Sequence, residues 1–427
     1  MMRFSALAFG TACLILHAAG CGGAVADVPD ADTAEVGVPH HDSGMGPDTA
    51  QAPDQPLNPN YPAPHAAMPT MDYNGGRILK SIHIVTVTFG DDPLASTLND
   101  FGDTITSSTW WSTISTDYCD KSGACVGPGT GGDHRVITAP IAASYADTSN
   151  GSPSSLQNAI AGWVADGSIP PPTPDTLYAF YFPASTKLTL DGDVGCQSWG
   201  AYHNSMMMTP PADAGADAGV AGDTAYAVMP RCMGGLKELT VAASHEFTEA
   251  ATDPIVGQEA YYMNDPLWGQ LGGEDGDLCV DQTGGSDTYQ EGSFLVQRIW
   301  SIPSAKAGHD PCVPIPPGEV YFNAAPIKGS EQITLAVGES ATYEVDAFSD
   351  APMEDWEIHA TDLAKLSGNP ISLSFSFDRT TVHNGSKPHI TVSLDTKPTG
   401  SPYALYAIVS KSSSATHIWP AVIIAKK

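Results

Sequence analysis

Apolar residues recur every three or four positions between Leu236 and Pro254, where Leu236, Leu239, Ala243, Phe247, Ala250 and Ala251 form one stripe at helical spacing. Gly234-Gly235 precede the run. Thr252-Asp253-Pro254 end it, because proline lacks an amide proton and restricts the residue before it. The spacing predicts an amphipathic helix. At about 100° per residue, His245, Glu249 and Asp253 share the face roughly opposite Phe247, with Glu246 at the border. One face is expected on a core, and the other is expected to present a histidine and carboxylates to a cleft.

The chain before this helix alternates strand and helix patterns. Ile78–Phe89 is rich in β-branched residues and predicts a buried strand, and Pro93–Tyr118 reads as helix, with Trp110-Trp111 near its end. Val136–Tyr145 and Thr176–Phe182 predict strands, Leu156–Val164 a short amphipathic helix, and Trp199–Met208 with Ala225–Met229 a hairpin. A low-complexity insertion, residues 210–219, lies between the hairpin arms. Val296–Ser301 reads as a closing strand. From residue 320 the pattern changes to short alternating runs: Gln332–Val337, Ala341–Ala347, Ile371–Phe377, His389–Leu394, Ala404–Val409 and Ile418–Ile424. Turn residues separate them at intervals that suit an antiparallel sandwich. The expected fold class is α+β, with an α/β catalytic domain over residues 71–316 and an all-β sandwich over 317–427.

Residues 1–21 carry an export signal: Arg3, then an apolar Phe4–Leu16 too short to span a bilayer. Ala18-Ala19-Gly20-Cys21 resembles a lipobox, so two readings stand: acylation at Cys21, or ordinary cleavage and release. Residues 22–70 are rich in Ala, Asp, Pro, Gly and Thr, contain no Lys or Arg, and read as a disordered linker. The formal net charge of -30 argues against a nucleic-acid partner, since nothing would neutralise phosphates. It suits a protein that is secreted or held at the outer membrane or cell surface, with the membrane reached only through an N-terminal lipid. Six cysteines remain beyond Cys13 and Cys21, an even number that implies bridges in an exported domain. The expected pairing joins neighbours in order: Cys119–Cys125, Cys196–Cys232 and Cys279–Cys312.

His245-Glu246-Phe-Thr-Glu249 is a His-Glu-x-x-Glu relative of the His-Glu-x-x-His zinc helix. In that helix, residues four apart reach one metal and the intervening Glu stands beside it as general base. Here His245 and Glu249 would be the ligands and Glu246 the base. The competing reading is a surface helix whose polar side happens to carry these residues. Downstream, Gly272-Gly-Glu274-Asp275-Gly-Asp277-Leu-Cys279 gathers carboxylates that repel unless solvated or bound to a cation. Glu274 or Asp277 is the candidate third ligand, with Asp253 a further one. Calcium as a structural ion is also compatible with this oxygen-rich turn, which lacks EF-hand spacing. Tyr261, Tyr262 and Trp268 would either line a substrate cleft or pack beneath the loop.

The runs Thr240–Pro254, Gly273–Cys279 and Val296–Ser301, with Gly200-Ala-Tyr-His203, Tyr226–Pro230 and Trp110-Trp111, resemble secreted bacterial relatives of the plant phosphate-induced/EXORDIUM family over roughly residues 76–312. The plant members are extracellular and have no assigned reaction. The bacterial branch looks like a zincin metallopeptidase. The resemblance implies zinc on His245 and Glu249, completed by Glu274 or Asp277, with Glu246 as base, His203 assisting from the hairpin, and a protein or peptide as substrate. Glu249 departs from the histidine of well-understood zincins. Ser372–Val382 followed by Asn384-Gly-Ser resembles immunoglobulin-like modules appended to secreted bacterial enzymes, and implies adhesion, with cell-surface polysaccharide as a partner. Trp356, Trp419 and Tyr406 would either contact it or serve as core.

Overall fold

The computed structural model describes residues 57–426 apart from 151, 209–221, 233–234, 281–287, 367–369, 371 and 399–401. The export signal, Cys21, the linker up to residue 56 and the 210–219 insertion lie outside the described residues. The chain is mixed α+β, mostly strand with few helices. Its centre is a five-stranded sheet of β1 (His83–Phe89), β2 (Thr130–Ile137), β3 (Thr176–Phe182), β4 (Tyr202–Met208) and β5 (Gly222–Pro230), in the order β2-β1-β3-β5-β4. All pairings are parallel except β4 against β5.

Both faces of this sheet are covered, which explains why every residue of β3 is buried. Its Leu177, Ala179 and Tyr181 join a core with α1 (Ala95–Thr104), α2 (Thr109–Ser115) and α4 (Gly235–Thr252). Tyr178, Phe180 and Phe182 alternate to the other face, against Leu156 and Ile160 of α3 (Ser155–Ala165). On α4 the stripe from Leu239 to Ala251 packs on the sheet as its period predicts, and Phe247 lies fully buried near Phe101.

Several boundaries differ from the sequence reading. The run Val136–Tyr145 is not one strand: β2 ends at Ile137, and a separate strand starts at Ser144, with Pro140 between them unable to donate to a ladder. The expected helix to Tyr118 is broken around Ser108, which caps α2 through its hydroxyl. The region of Val296–Ser301 does not close the central sheet. Instead β6 (Thr288–Glu291) and β7 (Phe294–Gln297) form a hairpin beside α4. Residues 57–70 belong in part to the folded chain: Ala63 and Met68 are buried, and the Asn384 side chain holds Asn58, Asn60 and Ala63. The three disulfides are Cys119–Cys125, Cys196–Cys232 and Cys279–Cys312.

The C-terminal part forms two sheets. One is β8 (Phe322–Pro326), β10 (Ser340–Ser349), β14 (His389–Leu394) and β12 (Leu373–Phe377) in that order. The other is β9 (Gln332–Leu335), β16 (Thr416–Ala425), β15 (Tyr403–Lys411), β11 (Trp356–Asp362) and β13 (Thr381–Val382). A single apolar cluster draws on both, including Val345, Val392, Trp356, Tyr406 and Ile423. Trp356, Trp419 and Tyr406 are therefore core residues. Trp268 sits between Trp300 and Trp419, tying the two parts of the chain together.

Replacing Phe247 by Ala is expected to cost about 3–5 kcal/mol, the usual penalty for emptying a core aromatic site. Guanidinium unfolding of wild type and variant measures it. A loss below about 1 kcal/mol would show that α4 is not seated on the sheet through this ring.

Candidate functional site

Two strands and one turn converge on α4. β4 alternates, so Tyr202, Asn204 and Met206 are buried and Tyr202 and Met206 join the α3-side core, while His203 points to the opposite face, toward α4. β7 is registered along α4 by two side-chain contacts. The Thr240 hydroxyl donates to the Leu295 carbonyl at 2.6 Å, and the Gln297 amide N–H donates to Ser244 Oγ at 2.8 Å. This places the Gln297 side chain beside His245. The turn from Gly272 to Cys279 is anchored by the Met263 N–H to the Gly273 carbonyl, the Trp300 N–H to the Asp275 carbonyl, and the Cys279–Cys312 bridge.

The result is a compact set of imidazoles and carboxylates. His245 Nε2 lies 3.0 Å from Glu249 Oε1, 3.7 Å from Asp277 Oδ1 and 4.0 Å from Glu246 Oε1. His203 Nδ1 lies 3.4 Å from Glu249 Oε2 and 3.5 Å from Glu246 Oε2, and its Nε2 lies 3.5 Å from Glu274 Oε1. All the expected site residues, His203, His245, Glu246, Glu249, Glu274 and Asp277, are thus brought together. Asp253 is not part of this set; it lies past the end of α4 with Oδ1 accepting the Ala260 N–H at 3.0 Å.

The set is enclosed, contrary to the expectation of a face open to a cleft. Side-chain exposure runs from 1% at His245 and Glu246 to 8% at Glu274. The polar side of α4 is covered by β4, β7 and the glycine-rich turn. Tyr261 and Tyr262 serve packing, with Tyr261 bonding to Cys119 and Tyr262 donating to the Gly272 carbonyl.

Gln297 and Gly276 are site residues that the motif did not reveal. Gln297 Nε2 donates to the Gly276 carbonyl at 2.6 Å, which orients its Oε1 at His245 Nδ1, 2.9 Å away. Nδ1 therefore carries the proton, and Nε2 is left facing Glu249. A nitrogen lone pair 3.0 Å from a carboxylate oxygen is repulsive unless a proton or a metal ion lies between them. A side-chain amide that accepts from the far nitrogen is the arrangement by which a ligating histidine is usually oriented. Gly276 is needed for clearance: a Cβ there would fall 2.7 Å from His245 Nδ1 and 2.8 Å from Glu249 Oε1. A Gln297-Arg298 pair interrupting the apolar residues from Phe294 to Trp300 was the available signal for Gln297.

Burial and mutual repulsion set the titration of these groups. Burial pushes Glu274 well above the usual carboxylate range despite His203, and does the same to Asp275, whose two oxygens accept no hydrogen bond among the described residues. Burial also raises Glu246, against His245, and Glu246 Oε1 is likewise without a hydrogen-bond partner. For Glu249, burial is outweighed by His245 and His203, which hold it down to about 2. Burial alone would lower His203, but Glu274, Glu246 and Glu249 keep it well above the ordinary imidazole value. A divalent ion would offset the repulsion among these carboxylates, and the donor set of imidazole nitrogen and carboxylate oxygen fits zinc.

Two outcomes follow. Gly276→Ala keeps an ordinary backbone conformation but crowds both ligands, so zinc affinity should fall about 10–100-fold, read by competition with a chromophoric chelator; unchanged affinity would separate this turn from the site. Burial pushes Asp253 up to about 7 from an ordinary 3.8. The folded chain then binds this proton more tightly than the unfolded one, so stability falls as pH rises from about 4 to about 7. Metal-free Asp253→Asn, which keeps the acceptor for Ala260, should show a shallower decline in urea unfolding across that window.

No family model matches the chain, and no curated protein does. Among solved structures it is similar to the crystal structure of a FixG-related protein from Vibrio parahaemolyticus, with 9% identity and a TM-score of 0.19 over 26% of this chain and 100% of that one, a likeness too slight to bear on fold or function.

Proposed function

We propose that this chain is an exported, zinc-dependent hydrolase of peptide bonds. The observation that carries the reading is the His245 Nε2–Glu249 Oε1 approach of 3.0 Å across one helical turn, with the far nitrogen of His245 held by Gln297. His245 and Glu249 would hold the ion, with Asp277 or Glu274 completing its protein ligands. When bound, the ion supplies Lewis acidity toward a carbonyl and a water molecule. Glu246, whose proton affinity burial raises, would in its ionised form take the proton of the attacking water and return it to the leaving amine. His203 would face the developing negative charge from β4. The low exposure of the set means that segments above it must withdraw to admit a peptide. The C-terminal pair of sheets would be an immunoglobulin-like module serving adhesion, and the protein would be secreted or lipid-anchored at Cys21.

The enclosure of the set favours a second reading, in which a zinc or calcium ion is structural and the chain is a non-catalytic extracellular protein of EXORDIUM type. Glu246→Gln separates the two. Under the hydrolase reading the variant retains its zinc by elemental analysis and loses hydrolysis of casein or a peptide library by about 10²-fold or more. His245→Ala should release zinc. Undiminished turnover in Glu246→Gln removes Glu246 from its role, and zinc without turnover in the wild type leaves the structural ion.

A further inference from the structure

We propose that the buried set holds two divalent cations side by side, bridged by Glu249; this rests on the metal reading above and extends it from one ion to two. The ligand atoms fall into two groups, each with donors within 4.8 Å of one another: His245, Glu246 and Glu249 in one, His203, Glu249 and Glu274 in the other. Glu249 is common to both, and it serves them with different oxygens. Oε1 is 3.0 Å from His245 Nε2, whereas Oε2 is 3.4 Å from His203 Nδ1. A carboxylate facing one imidazole with each oxygen can bridge two ions; Glu249 lies on the Nδ1 side of His203 and Glu274 on its Nε2 side, so the second ion requires the ring to turn until one nitrogen serves both. Ions in such paired sites lie about 3.5–4 Å apart.

Charge supports the same count. Among the described residues no lysine or arginine pairs with Glu246, Glu249 or Glu274; their charged partners are the two imidazoles, and Glu249 Oε1 also accepts the Asp277 N–H at 3.1 Å. Asp275 and Asp277 add two more buried carboxylates nearby. With all five ionised, the state a bound cation favours, one divalent ion would balance two of these charges and a second two more. Glu246 Oε1, 1% exposed and without a hydrogen-bond partner, is aimed at the group, 4.0 Å from His245 Nε2. Its other oxygen is 3.5 Å from His203 Nδ1, so Glu246 borders both positions and can accept a proton between them. Each ion would take one imidazole and carboxylate oxygens, a donor set suited to zinc or manganese. The competing arrangement is one ion at His245 with a doubly protonated His203 in place of the other.

The test is a count on the full-length chain. After chelator stripping, reloading with Zn²⁺ and gel filtration, elemental analysis should find two zinc per chain, and Glu274→Gln should hold one, with near-UV circular dichroism confirming that it is folded. Loaded with Mn²⁺, the wild type should give the multiline electron paramagnetic resonance spectrum of a coupled pair. One zinc in the wild type overturns the second site and leaves the hydrolase reading standing. No zinc overturns both. Two zinc in both wild type and Glu274→Gln overturns the assignment, because the second ion then lies elsewhere. If Glu274→Gln does not fold, His203→Gln replaces it, and the wild-type count together with the manganese spectrum decides.

Discussion

The constraint on which this structure depends is the burial of carboxylates against two imidazoles around Glu249. Ionised groups withdrawn from water carry a desolvation penalty of several kcal/mol each unless opposite charge repays it. Here the set is too acidic for its two histidines to balance, and two of its oxygen-bearing side chains, Glu246 and Asp275, have buried atoms with no hydrogen-bond partner. A native chain retains such an arrangement where it gains something from it, and a bound cation is the gain that this donor set fits.

The scaffold can be understood as the means of holding that arrangement. The three-layer packing fixes α4 through its apolar stripe, so its polar side has no freedom to turn away. The antiparallel edge strand β4 delivers His203 to the same side of the sheet by simple alternation. Thr240 and Ser244 fix the slide of β7 along the helix, and Gln297 then fixes the ring of His245. The Cys279–Cys312 bridge restrains the glycine-rich turn, where Gly272 and Gly273 adopt positive φ and Gly276 lets the backbone approach His245 and Glu249. Each contact acts on the position of a donor atom rather than on the bulk of the fold.

Enclosure gives the site its chemical character. In a low-dielectric surrounding, charges act on one another more strongly than in water, which sharpens both cation binding and any proton transfer by Glu246. Under the proposed hydrolase reading, the same enclosure would link turnover to motion of the covering segments. The tryptophan contacts of Trp268 with Trp300 and Trp419 place the C-terminal sheets against the region that follows the helix, so the second part of the chain bears on the same neighbourhood.

Local pattern by itself determined α4, whose three-to-four spacing and terminal proline mark both its register and its end, and β3, whose unbroken apolar run marks a strand covered on both faces. It also placed His245 and Glu249 four residues apart, which suffices to aim them together. Pattern failed where contacts are distant or composition misleads. Phe322–Pro326 is a strand although alanine and proline favour none, because both its faces meet neighbours. Residues 57–70 read as a tether, yet part of the segment is held by Asn384, more than 300 positions away. The meeting of His203, His245, Gly276 and Gln297 belongs to tertiary structure alone. Those four residues lie on separate elements, and only the closing of the loops between them, driven by the burial of apolar faces elsewhere, decides which polar atoms come within reach of one another.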